Sequence, residues 1–365
     1  MQGPAHWPGP RLRLCSENIM KSLLWFVALS LIVLSIVWIS GALKAGLFIH
    51  DAQGIASRID ENAIEAFSRD KKFVDVAGWR VAYIDRGSGE PVVLLHGCPF
   101  QSFEYSKVIP SLARHYRVIA PDLLGLGDTI VRLDDDYRLP NQVRMVVGLL
   151  DRLGIGRAHF VGHDHGGAIV QLMMNSHADR LGAVVLTNVE AYDQWPSEPE
   201  RLDVQLVVHP LSTPFFRAAF GFPTVQRRVL RIAVHRPEVL TEDVIHGLLR
   251  PSMATAARWK RLRRFLAWQL DRDHNLETMR AVDGLRRFDH PTLLLWGQHD
   301  ANFGPAIAER LAHDIPGVVR IEWLTNSAHL PMLEEPEHYA SAIERFLSDP
   351  SGTNAKVTGM AGHGQ

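Results

Sequence analysis

The spacing of apolar residues changes along this chain and marks out its elements. Residues 73–76 and 79–84 alternate about Ala77 and Gly78 and predict a β-hairpin. The runs 91–96 and 116–122 have apolar centres, Val92–Leu95 and Val118–Pro121, and predict buried strands, as do 159–162 and 183–187. Between them, 141–153 carries Val143, Val146, Val147, Leu149, Leu150 and Leu153 at helical spacing. The run 168–174 repeats that pattern directly after a strand. Strands alternating with helices imply an α/β fold, with a mostly parallel sheet and helices on both faces. From 192 to 288 the alternation stops, leaving several helical runs, much Arg, and Trp195, Trp259 and Trp268. It resumes with strands at 292–296 and 318–323 and helices at 306–313 and 337–347. A helical block interrupting such a sheet predicts a cap over its carboxyl edge, where ligands bind.

The N-terminal pattern is of another kind. Residues 22–43 contain no charge and no polar face, which is long enough for a transmembrane helix of ~20 residues. No short apolar region with a small-residue cleavage site is evident, so an uncleaved anchor is expected. Arg11, Arg13 and Lys21 precede the span, whereas Lys44 and Arg58 follow it. This places the N-terminus in the cytoplasm and the bulk of the chain on the other side. Met20 is an alternative start. The expected organisation is an N-terminal segment (1–21), an anchor in membrane lipid (22–43), a polar stalk (44–71), an α/β core (72–191 and 289–348), a helical cap (192–288) and a disordered tail (349–365).

Composition adds limits. The 365 residues are 46% apolar and 22% charged, ordinary for a protein with a sizeable core. A net charge of −1 gives no reason to expect nucleic acid as a partner. Cys15 and Cys98 form neither a disulfide framework nor a metal-binding spacing. Oligomeric state is left open, and no cofactor is expected.

Four motifs follow strand ends. They are His96-Gly97-Cys98-Pro99, then Gly162-His163-Asp164-His165-Gly166-Gly167, then Gly297-Gln298-His299-Asp300, then Ser327-Ala328-His329. In a parallel sheet such positions gather at one edge. The second motif is a strand, a glycine-rich turn and a helix, the setting of a nucleophile elbow, with Asp164 where Ser is usual. The order nucleophile, acid, His suits that fold. A carboxylate needs no deprotonation near neutrality. It can displace a leaving group from a saturated carbon and form an ester. His329 can then act as general base on water, oriented by Asp300. The backbone N–H groups of Cys98 and His165 are candidates to hold the oxyanion. Asp164 as a mere turn residue, or Asp300 as a cap, are the plainer alternatives. A metal site built on His163, Asp164 and His165 is not expected, because neighbours in a tight turn diverge.

Over residues 72–348, the chain resembles an α/β-hydrolase of the Asp-nucleophile branch, which holds the haloalkane dehalogenases and epoxide hydrolases. The resemblance implies a small apolar substrate and water as reactants. It also implies a structural role for His96 in shaping the oxyanion loop. It departs from the branch at the leaving-group apparatus. His165 stands where dehalogenases have Trp, and Cys98 where a second halide donor is common. No Tyr occurs between Tyr192 and Tyr339 to serve as an epoxide hydrolase's cap donor. His165, His209, or an indole N–H such as that of Trp195 are the candidate replacements, with Pro99 a further pocket residue. Dehalogenation ranks above epoxide opening on this reading. A non-catalytic receptor on the same fold would be marked by a lost triad member, and none is lost.

Overall fold

The computed structural model describes residues 61–350. The expected N-terminal segment (1–21), the anchor (22–43), most of the stalk (44–71) and most of the tail (349–365) lie outside those residues. Among the described residues, no helix is long and apolar enough to cross a membrane.

Eight strands form one sheet in the order β1-β2-β4-β3-β5-β6-β7-β8. They are β1 (Lys72–Val76), β2 (Trp79–Arg86), β3 (Pro91–Leu95), β4 (Arg117–Pro121), β5 (Ala158–Asp164), β6 (Leu181–Val189), β7 (Thr292–Gly297) and β8 (Val318–Leu324). The hairpin β1–β2 and the pair β2–β4 are antiparallel, and every other pairing is parallel. Successive side chains of a strand face opposite ways, so β3 sends Val93 and Leu95 into one core and Val92 and Leu94 into the other. Burial on both faces is why these strands read as unbroken apolar runs; every residue of β6 is buried.

Helices cover both faces. They are α1 (Glu61–Arg69), α2 (Leu139–Arg152), α3 (His165–Ser176), then α4 (Glu198–Val208), α5 (Thr213–Ala219), α6 (Pro223–Leu230), α7 (Glu242–Met253), α8 (Ala256–Gln269) and α9 (Leu276–Leu285), and finally α10 (Pro305–Asp314) and α11 (Pro336–Ser348). Two placements differ from the expected organisation. The end of the expected polar stalk, α1, is amphipathic and buries Ile64 and Phe67 in the core, with Phe67 edge-on to Phe103 at 5.2 Å. The last helix of the expected cap, α9, packs on α3 of the core, because Ala281, Val282 and Leu285 give it an apolar stripe.

Candidate active site

Asp164 is the last residue of β5, and α3 begins at the next position. The register of β5 against β6 slips between His163 and Asp164, which tips the chain out of the sheet at that point. Asp164 has φ 51° and ψ −120°, a conformation that costs a non-glycine residue on the order of 1–3 kcal/mol. The glycines around it allow the turn. A Cβ on Gly162 would lie 2.8 Å from the Cα of Gly167, and one on Gly166 would collide with the carbonyl of Leu95.

The three residues predicted to act together are brought together. His329 Nε2 lies 3.5 Å from Asp164 Oδ2, and His329 Nδ1 lies 2.9 Å from Asp300 Oδ2. The Cys98 amide donates to Asp164 Oδ1 at 2.7 Å. Asp300 also accepts from Asn188 Nδ2 and from the Asn302 amide, each at 2.8 Å. Burial alone raises the Asp164 carboxyl, but the His329 hydrogen bond and charge, with His163 and the Cys98 amide, hold it at about 2. Burial works against a charged His329, yet Asp300 and Asp164 outweigh it and raise its pKa well above the ordinary imidazole value. The imidazole thus sits between two carboxylates, both of which favour its charged form.

The oxyanion loop is shaped from behind. His96 Nε2 accepts from the Leu123 amide at 3.0 Å, and its Nδ1 lies 2.8 Å from the Gly97 carbonyl. Glu104 accepts from the Gly97 amide at 3.1 Å, while His163 Nδ1 lies 2.9 Å from its other oxygen. The Cys98 thiol is pushed well up by burial and then by the charge of Asp164, so it is not a nucleophile here.

Above Asp164 lies a cavity of about 150 Å³. Cys98, Pro99, Asp164 and His329 line its core side. The inserted helices contribute an apolar wall that includes Val207, Phe220, Leu249, Trp259 and Leu262. His165, Trp195 and His209 do not line it. His165 is fully buried, its Nδ1 is 2.7 Å from Glu190 Oε2, and Phe265 and Trp268 wall in its ring. Glu190, not His165, reaches the cavity. Trp195 is buried and spends its N–H on Thr278 Oγ1 at 3.0 Å. His209 is exposed at the C-terminal end of α4, where its Nδ1 accepts from the Leu211 amide at 3.3 Å. Tyr192 is likewise turned away, donating to Asp314 Oδ2 at 3.0 Å.

Most of the lining residues were not singled out in the sequence, and those that bear polar groups include Trp259, Glu190, Glu200 and Asn302. Trp259, in the first turn of α8, lines the cavity, and its buried Nε1 has no hydrogen-bond partner. Glu190 and Glu200 bring carboxyls to the cavity, and Asn302 lies beside them. Burial, with the charge of Asp164 adding to it, pushes Glu200 up to about 7. Glu190 is also raised, by burial first, despite His165. A signal for Glu200 was available, since Ser197 and Glu200 form a capping box. Among the described residues, no group of three or more His, Cys, Asp or Glu is placed to hold a metal ion.

Comparison with known proteins places these features. The family model of the alpha/beta hydrolase fold matches residues 90–336. Haloalkane dehalogenase 2 of Mycobacterium tuberculosis (strain H37Rv) is 29% identical over 289 residues, covering 76% of this chain and 95% of that protein. A soluble epoxide hydrolase of Corynebacterium sp. (strain C12) is 42% identical over 128 residues, 33% of this chain and 44% of that protein. The solved structure of an ancestral haloalkane dehalogenase superposes with a TM-score of 0.66 at 23% identity, covering 77% of this chain and all of that one, a likeness of fold.

Proposed function

The chain belongs to the α/β-hydrolase fold family, and from that premise we propose that it hydrolyses a small apolar substrate through an ester on Asp164, the bond broken being carbon–halogen. The observation that carries this reading is Trp259, which lines the cavity that holds Asp164 and whose buried Nε1 has no hydrogen-bond partner. A buried N–H without a partner costs free energy, and a departing halide in an apolar pocket satisfies it. The intact triad weighs against a non-catalytic receptor.

The electrostatics give the steps an order. Asp164, ionised at any ordinary pH, attacks the carbon while the Cys98 amide steadies its other oxygen. The ester that forms is neutral, so His329 loses the Asp164 hydrogen bond and charge that had raised its pKa. It then releases its proton to solvent, the proton that accompanies the halide in the net reaction, and becomes a base for water, with Asp300 still holding Nδ1. Water attacks the ester carbonyl, the oxyanion forms against the Cys98 amide, and collapse releases the alcohol.

Epoxide opening is the second reading. Glu200 favours it, because a carboxyl raised to about 7 supplies a proton to a ring oxygen where cap tyrosines are missing. A panel of haloalkanes and epoxides, scored for halide release and diol formation, separates the two. Trp259→Phe keeps the ring and removes the donor. Under the first reading it lowers halide release by about tenfold, the worth of one hydrogen bond to a charged atom. Single turnover in ¹⁸O water should label the Asp164 carboxylate. Label in the product alone would mean that water attacks the substrate directly, which refutes the ester.

A further inference from the structure

We propose that Glu200 is a leaving-group donor: its protonated carboxyl offers its O–H to the atom that departs as Asp164 attacks. This rests on the reading of Asp164 as the nucleophile.

The geometry comes from two hydrogen bonds and one shared cavity. Glu200 is in the first turn of α4, and its Oε2 accepts from the Ser197 amide at 3.2 Å. Its Oε1 accepts from Asn302 Nδ2 at 2.9 Å. Asn302 in turn gives its own amide to Asp300. The carboxyl is thus held between the inserted helices and the loop that carries the triad acid. It lines the cavity with Asp164 and Trp259. Each oxygen accepts one N–H, which leaves a second lone pair on each for a proton.

The charges around Glu200 keep that proton in place near neutrality. Asp164 at the end of β5 and Glu190 after β6 disfavour a second negative charge, and burial does so most of all. His329, after β8, and the hydrogen bond from Ser197 act the other way. Asp203, on α4, lines the same cavity and is itself raised by burial. With a halide, the proton stays on Glu200 and the halide leaves as an anion. With an epoxide, the Asp164 oxygen–carbon bond forms, the ring carbon–oxygen bond breaks, and that oxygen takes the Glu200 proton. Ester hydrolysis consumes water and yields carboxylate, alcohol and one proton, which restores Glu200 after epoxide opening and passes to solvent after halide release.

The test isolates the first step in the full chain carrying His329→Gln, which also removes the imidazole titration. Adduct formation on Asp164 is followed by intact mass with 1-bromobutane and with styrene oxide between about pH 5 and 9. With Glu200 present, the rate should fall about tenfold as pH rises through neutrality, because the donor form is lost above its pKa. Glu200→Gln keeps a neutral donor and the capping box, and should abolish that alkaline limb. Glu200→Leu should be slow by a similar factor and insensitive to pH. An alkaline limb that survives in Glu200→Gln overturns the role of Glu200 alone. If no adduct forms at any pH, the nucleophile reading falls, and this proposal with it.

Discussion

Lys71→Met tests how the N-terminal helix is tied to the active site. Lys71 follows α1, and its side chain is 1% exposed. Its Nζ lies 2.6 Å from Asp122 Oδ2 and 2.9 Å from Asp128 Oδ2, and it donates to Gln101. Gln101 belongs to the oxyanion loop and reaches the Gly247 carbonyl on α7. Asp128 also pairs with Arg258 of α8 at 2.9 Å. One ammonium therefore joins α1, the oxyanion loop, the loop after β4 and, through two partners, the inserted helices. Removing one partner of a buried ion pair costs about 3–5 kcal/mol. Asp122 keeps the Ser102 amide, the Ser102 hydroxyl and the Asp128 amide as donors, and Asp128 keeps Arg258. The loss should therefore sit near the low end, about 3 kcal/mol. The assay is urea unfolding followed by tryptophan fluorescence, with Lys72→Met as the neighbouring control. Lys72 is 55% exposed and pairs with Asp85 at 3.2 Å, so its loss should be under about 1 kcal/mol.

The pH dependence of that loss has a definite sign. Burial raises the Asp122 carboxyl, but the Lys71 charge and the hydrogen bonds it accepts from Lys71 and Ser102 pull it below the ordinary value. A lowered folded-state pKa means that the carboxylate stabilises the fold above the unfolded value, about 4, and ceases to as pH falls through the folded one. The gap between wild type and Lys71→Met should be full at neutral pH and shrink below about pH 4. A gap under about 1 kcal/mol at neutral pH, or one equal to that of Lys72→Met, would refute the network as a structural tie.

Two further outcomes are expected. Gly166→Ala drives a Cβ into the Leu95 carbonyl at the base of the oxyanion loop; it should cost about 1–3 kcal/mol and lower kcat/KM, whereas Gly156→Ala, with open space around it, should be near neutral in both stability and activity. We also propose that the uncharged run 22–43 anchors the protein as a single membrane span, with the catalytic domain on the non-cytoplasmic side. The full chain should sediment with membranes and resist high-salt extraction, while a chain starting at residue 61, which retains α1 and Lys71, should stay in the supernatant; uncleaved full-length protein in the soluble fraction would count against the anchor.

The sequence by itself marked out the sheet and the residues that gather at its carboxyl edge. Buried parallel strands must be apolar on both faces, so 91–96, 159–162 and 292–296 were legible as runs, and helices such as α2 as a period. Asp164, Asp300 and His329 were legible because each follows a strand end, and a parallel sheet has one carboxyl edge. Side-chain direction was decided only by the tertiary structure. His165 adjoins Asp164 in sequence, yet its ring is taken up by Glu190, Phe265 and Trp268, which come from other parts of the chain. Trp195 and Trp259 are alike as letters in a helical block, but the first bonds to Thr278 while the second lines the cavity and its N–H has no partner. Glu200 was passed over in the sequence, and its raised pKa comes from burial and from Asp164, which is 36 positions away in the chain. Local pattern encodes which face of an element is apolar; which elements meet across a cavity, and so which charges repel there, exists only once the chain is folded.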